Sequence, residues 1–447
     1  MPLVARRHGK VIRLALPIML GMLSQSMLNL IDAALVGHLG EVALAGVGVG
    51  GYAMFMLSAV VFGLSSSVQS QTAHRVGAAH TEIAHPLRSG LVIGLAVALP
   101  LTLWAWWQAP LLISLISQAD DVQAVAVGYF RWRVVSLMAI ALTLCFRGYW
   151  NGRQQTHLYL RIIVAVHLLN VVVSAVLIYG LGGLPAMGSS GAGAGTTLSL
   201  FVGLIAWCWV SIKSPSSAHF LTHLPSLATL RTTLVLAAPH SLQQLLFAAG
   251  YVVLIGVLSQ LGTASVAVGH VLINLSLLLI LPGVGVGVAA MSLVGEALGR
   301  DAQQEAHRWG LDALRVAWLL LLVLALPMLL VPEQVLALFF TNSELVALGK
   351  LPLQLTGVMI VLDAAALVLA QALMGAGAQR TVMMLTLGMQ WLLFLPLAWW
   401  VGIGLEQGLL GIWLMQLLYR LINSAGFLWV WQRRRWLAPL SNSLTGP

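Results

Sequence analysis

Charge is what this chain has least of. Only 8% of its 447 residues are Asp, Glu, Lys or Arg, against about 25% in soluble domains, so most of its surface cannot face water. Cysteine is nearly absent. Cys145 and Cys208 both fall inside apolar runs, which excludes a disulfide framework. No Walker sequence is present, so ATP is not the direct energy source. GVGVG at 283–287 sits inside a hydrophobic run rather than a strand–turn–helix, and HTEIAH at 80–85 lacks the i, i+4 spacing of a helical zinc site. The chain therefore reads as no enzyme, with no cofactor. Alternating ten-residue segments with aromatic girdles are missing too, which excludes an outer-membrane barrel.

What remains is apolar: 60% hydrophobic residues and a mean hydropathy of +0.94. Hydrocarbon is the solvent such a surface fits, and there every backbone N–H and C=O must be satisfied within the protein, which favours helices. Polar breaks divide the chain into spans near 12–36, 45–72, 88–108, 125–149, 158–180, 190–212, 232–258, 264–293, 311–332, 350–374, 381–402 and 408–431. Each reaches or approaches the ~20 residues a bilayer crossing needs. The expected fold is an all-α integral membrane protein of twelve transmembrane helices. The first run is too long for a signal peptide and no small-residue cleavage site follows Asp32, so it is expected to be retained.

The halves repeat each other. Pro17, Gly40 and Gly77 recur as Pro239, Gly262 and Gly299, each 222 positions on, and GYWNGRQQT (148–156) resembles LMGAGAQRT (373–381). Two pseudo-symmetric six-helix bundles follow, as in transporters that carry a substrate pathway between repeats. The expected organisation is an N-terminal lobe at 1–212, a Ser-, Pro- and His-rich linker at 213–231, a C-terminal lobe at 232–435 and a tail at 436–447. With both termini cytoplasmic, eighteen of the 22 basic residues fall on the cytoplasmic side. That placement also accounts for the net charge of +9, through topology and anionic lipid rather than nucleic acid.

Few strongly polar groups lie deep in the spans. Asp32, in SQSMLNLIDAALVG, is the foremost, because a carboxylate at membrane depth is costly and by default faces a cavity or a partner. A group that can exchange between charged and neutral forms is a natural proton carrier. Gln25 and Asn29 share its helix face, and Pro17 permits a kink in the same helix. Asn170 and Ser174 are spaced i, i+4 on the fifth helix, and Thr196 and Thr197 lie on the sixth; lining the Asp32 cavity and serving as interhelical glue are both open. For His167, packing is the favoured reading. Asp363, on the tenth helix, is the second deep acid, facing either the cavity or Arg420.

The repeat, LALPIMLGMLSQSMLNLIDAALVGHLG and RGYWNGRQQT together resemble the multidrug and toxic compound extrusion (MATE) family, nearest its DinF branch, from about Val11 to Arg435. The resemblance implies a two-lobed secondary antiporter of the bacterial inner membrane, acting as a monomer by alternating access. It would export small-molecule drugs or organic cations, often amphipathic, against H⁺ or Na⁺. A lipid-linked precursor flippase of the wider superfamily is the nearest alternative. It also implies that Asp32 is the ion site. The fifth-helix motif of DinF members is Asn followed four residues later by Asp; here it is Asn170 and Ser174. One fewer carboxylate weakens a Na⁺ site, since a hard cation wants several oxygens with compensating charge. H⁺ coupling is therefore favoured, with Na⁺ still possible. The NorM branch has a tenth-helix acid that Asp363 resembles, but Met359 stands one turn before it and no acid occurs between Thr232 and Gln260.

Overall fold

A computed structural model describes residues 2–215, 217, 220, 224–434 and 436; the described residues hold helices and no strand. The twelve long helices are α1 Pro2–Gly37, α2 Glu41–Gly77, α3 His85–Trp107, α4 Asp120–Gly152, α5 Thr156–Tyr179 and α6 Ser189–Lys213. The second set is α7 Leu227–Ser259, α8 Thr263–Gly299, α9 Gln303–Leu330, α10 Ser343–Gly375, α11 Gln379–Gly404 and α12 Gly408–Arg433. Eleven are long and apolar enough to cross a membrane. The twelfth, α12, is 26 residues long and loses apolarity to Gln416, Arg420 and Asn423, all buried.

Every expected span coincides with a helix. Most helices run a few residues further than hydropathy alone suggests, because helical hydrogen bonding continues into the polar flanks. Outward-facing side chains such as Leu168, Ile205, Leu319 and Leu392 are more than half exposed, the pattern lipid contact requires. Gly40 and Gly262 open α2 and α8 with φ of 110° and 95°, a region side chains rarely adopt, and they are again 222 apart. α11 is interrupted by π-helical turns at Gly388–Phe394 and Trp400–Gly404.

The chain forms two compact units, Leu20–Ser241 and Met1–Met19 with Leu242–Ser443. The division falls inside α1 and α7, two residues beyond Pro17 and Pro239, rather than in the 213–231 segment. The 436–447 tail, Trp436 apart, lies outside the described residues, as do 216, 218–219 and 221–223 of the linker.

In the Leu20–Ser241 unit, the start of α7 is held against α2 by polar contacts. Ser67 Oγ donates to the Thr233 carbonyl at 2.8 Å, Gln71 Nε2 donates to Thr233 Oγ1 at 3.1 Å and the Gly63 N–H donates to Ser241 Oγ at 3.0 Å. α2 and α4 approach through Gly148 and Gly152, where a side chain would strike the α2 backbone. Small residues of this kind let helices close without a hydrophobic drive in lipid. In the other unit, the start of α1 is held by charge. Arg7 Nε donates to Asp312 Oδ2 at 2.6 Å, Lys10 lies 4.0 Å from Glu296, and the Arg7 guanidinium stacks 4.1 Å from the Trp309 ring centre. Gly285 of α8 meets Met19 of α1 there, as Gly63 meets Ser241, with the same offset of 222.

Candidate functional site

The site is built on α1, α5 and α6 of the Leu20–Ser241 unit. α1 delivers Asp32, half buried, between the buried Leu28 and Val36 one turn to either side. α5 presents Asn170, 1% exposed. With its carboxamide oriented so that donors meet acceptors, Asn170 donates from its nitrogen to Asp32 Oδ1 at 3.2 Å. Its oxygen accepts from Thr196 Oγ1 at 3.0 Å and the Thr196 N–H at 3.2 Å. Three of the expected residues are thus brought together. Among the described residues Asp32 makes no ion pair, although Arg133 of α4 is close enough to act on it electrostatically.

The other expected residues fall elsewhere. Thr197 Oγ1 donates to the Trp132 carbonyl at 2.8 Å, so it ties α6 to α4 and does not reach Asp32. Ser174 is fully buried, its Oγ has no hydrogen-bond partner, and it packs where a Cβ at Gly195 would come within 2.6 Å of that oxygen. Its small size lets α5 meet α6 closely one turn past Asn170. Gln25 and Asn29 are exposed and joined to each other, Gln25 Nε2 donating to Asn29 Oδ1 at 3.2 Å. Asp363 belongs to the other unit, where its carboxylate accepts from Arg420 Nη1 and both side chains are buried. Of its two readings, the structure has the ion pair.

His167 has a more definite place than packing alone. Its Nδ1 lies 2.7 Å from Ser24 Oγ and its Nε2 3.1 Å from Gln25 Oε1. A carboxamide oxygen only accepts, so Nε2 carries the proton and the Ser24 hydroxyl donates to Nδ1. The hydrogen bonds therefore run in one direction: Ser24 to His167, His167 to Gln25, Gln25 to Asn29. α5 grips α1 twice, at Ser24 and Gln25 through His167 and at Asp32 through Asn170.

The buried polar run of α2 went unnoticed in the sequence. Ser65, Ser66, Ser67, Gln69, Ser70, Gln71, Thr72 and His74 are all buried. Ser66 Oγ lies 2.6 Å from His240 Nδ1, and Arg147 Nε donates to Ser65 Oγ at 3.2 Å. SSSVQSQTAH could have signalled it, since so polar a stretch within a span must find protein partners rather than lipid.

The MatE family model matches residues 17–176 and 239–400, one match in each repeat and most of the chain. The chain belongs to the MatE family. Proteins similar to it over most of their length agree. A probable multidrug resistance protein NorM of Bradyrhizobium diazoefficiens is 28% identical over 423 residues, covering 92% of this chain and 90% of that protein. A probable multidrug resistance protein NorM of Pasteurella multocida is 26% identical over 396 residues, covering 87% and 85%. The multidrug resistance protein PmpM of Pseudomonas aeruginosa is 25% identical over 399 residues, covering 88% and 84%. A MATE crystal structure in the straight conformation superposes with a TM-score of 0.87 at 25% identity, covering 96% of each chain. A MOP superfamily transporter from Pyrococcus furiosus gives 0.87 at 23% with the same coverage, which speaks to fold alone. This MatE-family chain is a multi-pass membrane transporter, and Asp32 and Asn170 lie within the first matched segment, with Thr196 beyond it.

Proposed function

We propose that this protein is a secondary multidrug antiporter that exports cationic or amphipathic organic compounds across the bacterial inner membrane in exchange for H⁺, by alternating access. The observation that carries the reading is Asp32. It is a lone carboxylate on a proline-containing helix, hydrogen-bonded to a neutral amide rather than locked in an ion pair. Such an acid can hold a cation in its charged form and let it go when protonated. The Asn170 amide suits both forms, since it donates to Oδ1 of the carboxylate and a proton taken up on Oδ2 leaves that bond in place. Pro17 leaves a carbonyl of α1 without its helical donor, so α1 can bend between a form that exposes the acid and one that shields it. Ser174, in place of a second carboxylate, favours the proton over Na⁺. Names such as multidrug resistance protein among the relatives support the choice of cargo.

Asp32→Asn in proteoliposomes is the direct test, with efflux of a fluorescent cation followed under separately imposed pH and sodium gradients. The wild type is expected to respond to the pH gradient and the variant to neither. Undiminished flux in the variant would remove Asp32 from the mechanism, and flux driven by sodium alone would replace the coupling ion.

A further inference from the structure

Arg133 is the cation nearest in role to Asp32, and nothing in the exchange described above uses it. Val36 of α1 and Tyr129 of α4 belong to one buried apolar cluster with Ile178 and Ala192. α1 and α4 are the first and fourth of consecutive spans, so they run in opposite directions. One turn back from Val36 is Asp32, and one turn on from Tyr129 is Arg133, so both steps lead toward the same end of the pair. A second contact fixes the same register. The Trp132 carbonyl, next to Arg133, accepts from Thr197, and Thr196 beside it bonds Asn170, which donates to Asp32. The Arg133 guanidinium is under-used. Its Nη1 donates to Ser136 Oγ on its own helix at 3.0 Å, and its buried Nε has no partner. Neighbouring ionisable groups are engaged elsewhere: Arg131 stacks 5.2 Å from the Trp106 ring centre, His167 is held by Ser24 and Gln25, and His38 lies 2.7 Å from the Ala34 carbonyl.

We infer that Arg133 is a charge-selectivity residue, an internal cation that competes with cationic cargo for Asp32. This rests on the export reading. With Asp32 ionised, acid and arginine cancel, so a cation entering the site must displace the pull of a guanidinium that is already there. Affinity for cations is thereby lowered. The site is relatively more open to neutral and zwitterionic amphipaths, and a cargo that leaves is replaced by Arg133 rather than by a bare carboxylate. The arrangement makes release easier than a lone acid would.

The test measures binding, which needs no gradient. Ethidium binding to the purified full chain in detergent is followed by fluorescence anisotropy for wild type, Arg133→Gln, Arg133→Met, Arg133→Lys, Asp32→Asn and the Asp32→Asn/Arg133→Gln double variant. Either neutral replacement of Arg133 is expected to bind ethidium about tenfold tighter, well within what unit charges on facing helix turns exert at partly solvated depth. Arg133→Lys should match the wild type, and the gain should vanish when Asp32 is also replaced. Two neutral variants allow for one that does not fold, as judged by size exclusion. Equal or weaker binding in the neutral variants overturns the inference, and so does a gain that persists without Asp32. Neither result touches the proton-coupling reading, which stands or falls on flux in Asp32→Asn.

Discussion

Removing Arg420 alone should damage this protein more than removing Arg420 and Asp363 together. The two residues are 7% and 6% exposed, and the guanidinium donates to Asp363 Oδ2. Arg420→Met leaves a carboxylate buried beside an apolar thioether, and breaking a buried pair in this way costs about 3–5 kcal/mol. Asp363→Val leaves the guanidinium, whose Nε already has no partner, with the Tyr251 side chain but without its counter-charge, at a similar cost. In the Asp363→Val/Arg420→Met double variant neither charge remains to be solvated. Replacing buried pairs by apolar groups is often neutral or stabilising, so the double variant should lie near the wild type, with a coupling energy of at least about 6 kcal/mol, the sum of the two single losses. The assay is the temperature at which half of the detergent-solubilised protein stays monodisperse on size exclusion, for all four proteins. The order wild type ≈ double > either single is expected. Costs that simply add in the double variant would refute the reasoning, because they would mean the charges are not each other's solvation. If the double variant also retains efflux, Asp363 holds α10 to α12 and does not carry cargo or protons.

Two repeat-related glycines should respond unequally to the same change. A Cβ at Gly63 would strike the Ala237 carbonyl oxygen and come within 2.7 Å of Ser241 Oγ, so backbone must move; at Gly285 the first atom met is the flexible Met19 Cγ at 2.5 Å. Gly63→Ala is expected to cost about 1–3 kcal/mol and Gly285→Ala clearly less, read from the same heating assay; equal losses would count against the close approach of α2 and α7. His167→Ala frees Ser24 and Gln25 of α1, and losing those bonds should cost about 1–2 kcal/mol while slowing efflux without changing its dependence on the imposed pH gradient. A changed pH dependence in that variant would instead make His167 a participant in proton movement.

Composition and periodicity carried the fold far because hydrocarbon leaves few choices. Once each backbone group must be satisfied locally, helix positions follow from where polar breaks fall, and all twelve spans were legible, although α1, α9 and α10 begin well before the apolar runs do. The division of the chain was not. Hydropathy marks 213–231 as a linker, but which unit a helix end joins depends on contacts that no run of apolar residues encodes: Arg7 with Asp312 at one end, Thr233 with Ser67 and Gln71 at the other. In the site, Asp32, Asn170 and Thr196 were legible from cost alone, since a polar group at depth needs partners. Of the two readings open for Thr197 and Ser174, the structure places both between helices. Thr196 and Thr197 lie about 100° apart around α6, and only one can face α5. Ser174 lies on the face of Asn170, but that face is closed by Gly195.

The duplication itself separates scaffold from chemistry. Positions that set the backbone path recur at the offset of 222: the kink prolines Pro17 and Pro239, the left-handed caps Gly40 and Gly262, the close approaches at Gly63 and Gly285. The division between units, 19/20 and 241/242, has the same offset. Each of these is needed wherever the helices cross, so both repeats must have it. The site recurs nowhere. Leu254 stands where Asp32 would be repeated, and by the offset of 225 that aligns Gly152 with Gly377, Leu395 stands where Asn170 would be; both leucines are buried. A carboxylate at 254 would not find an asparagine at the position that repeats Asn170, and burying an acid without a partner is costly. The acid and its partner are therefore absent together. The second unit's own acid, Asp363, aligns with Met138 of the first and comes with an arginine instead. One unit holds an acid met by a neutral amide and the other an acid paired with an arginine, and on the proposed exchange this asymmetry assigns the ion-responsive step to the unit that contains Asp32.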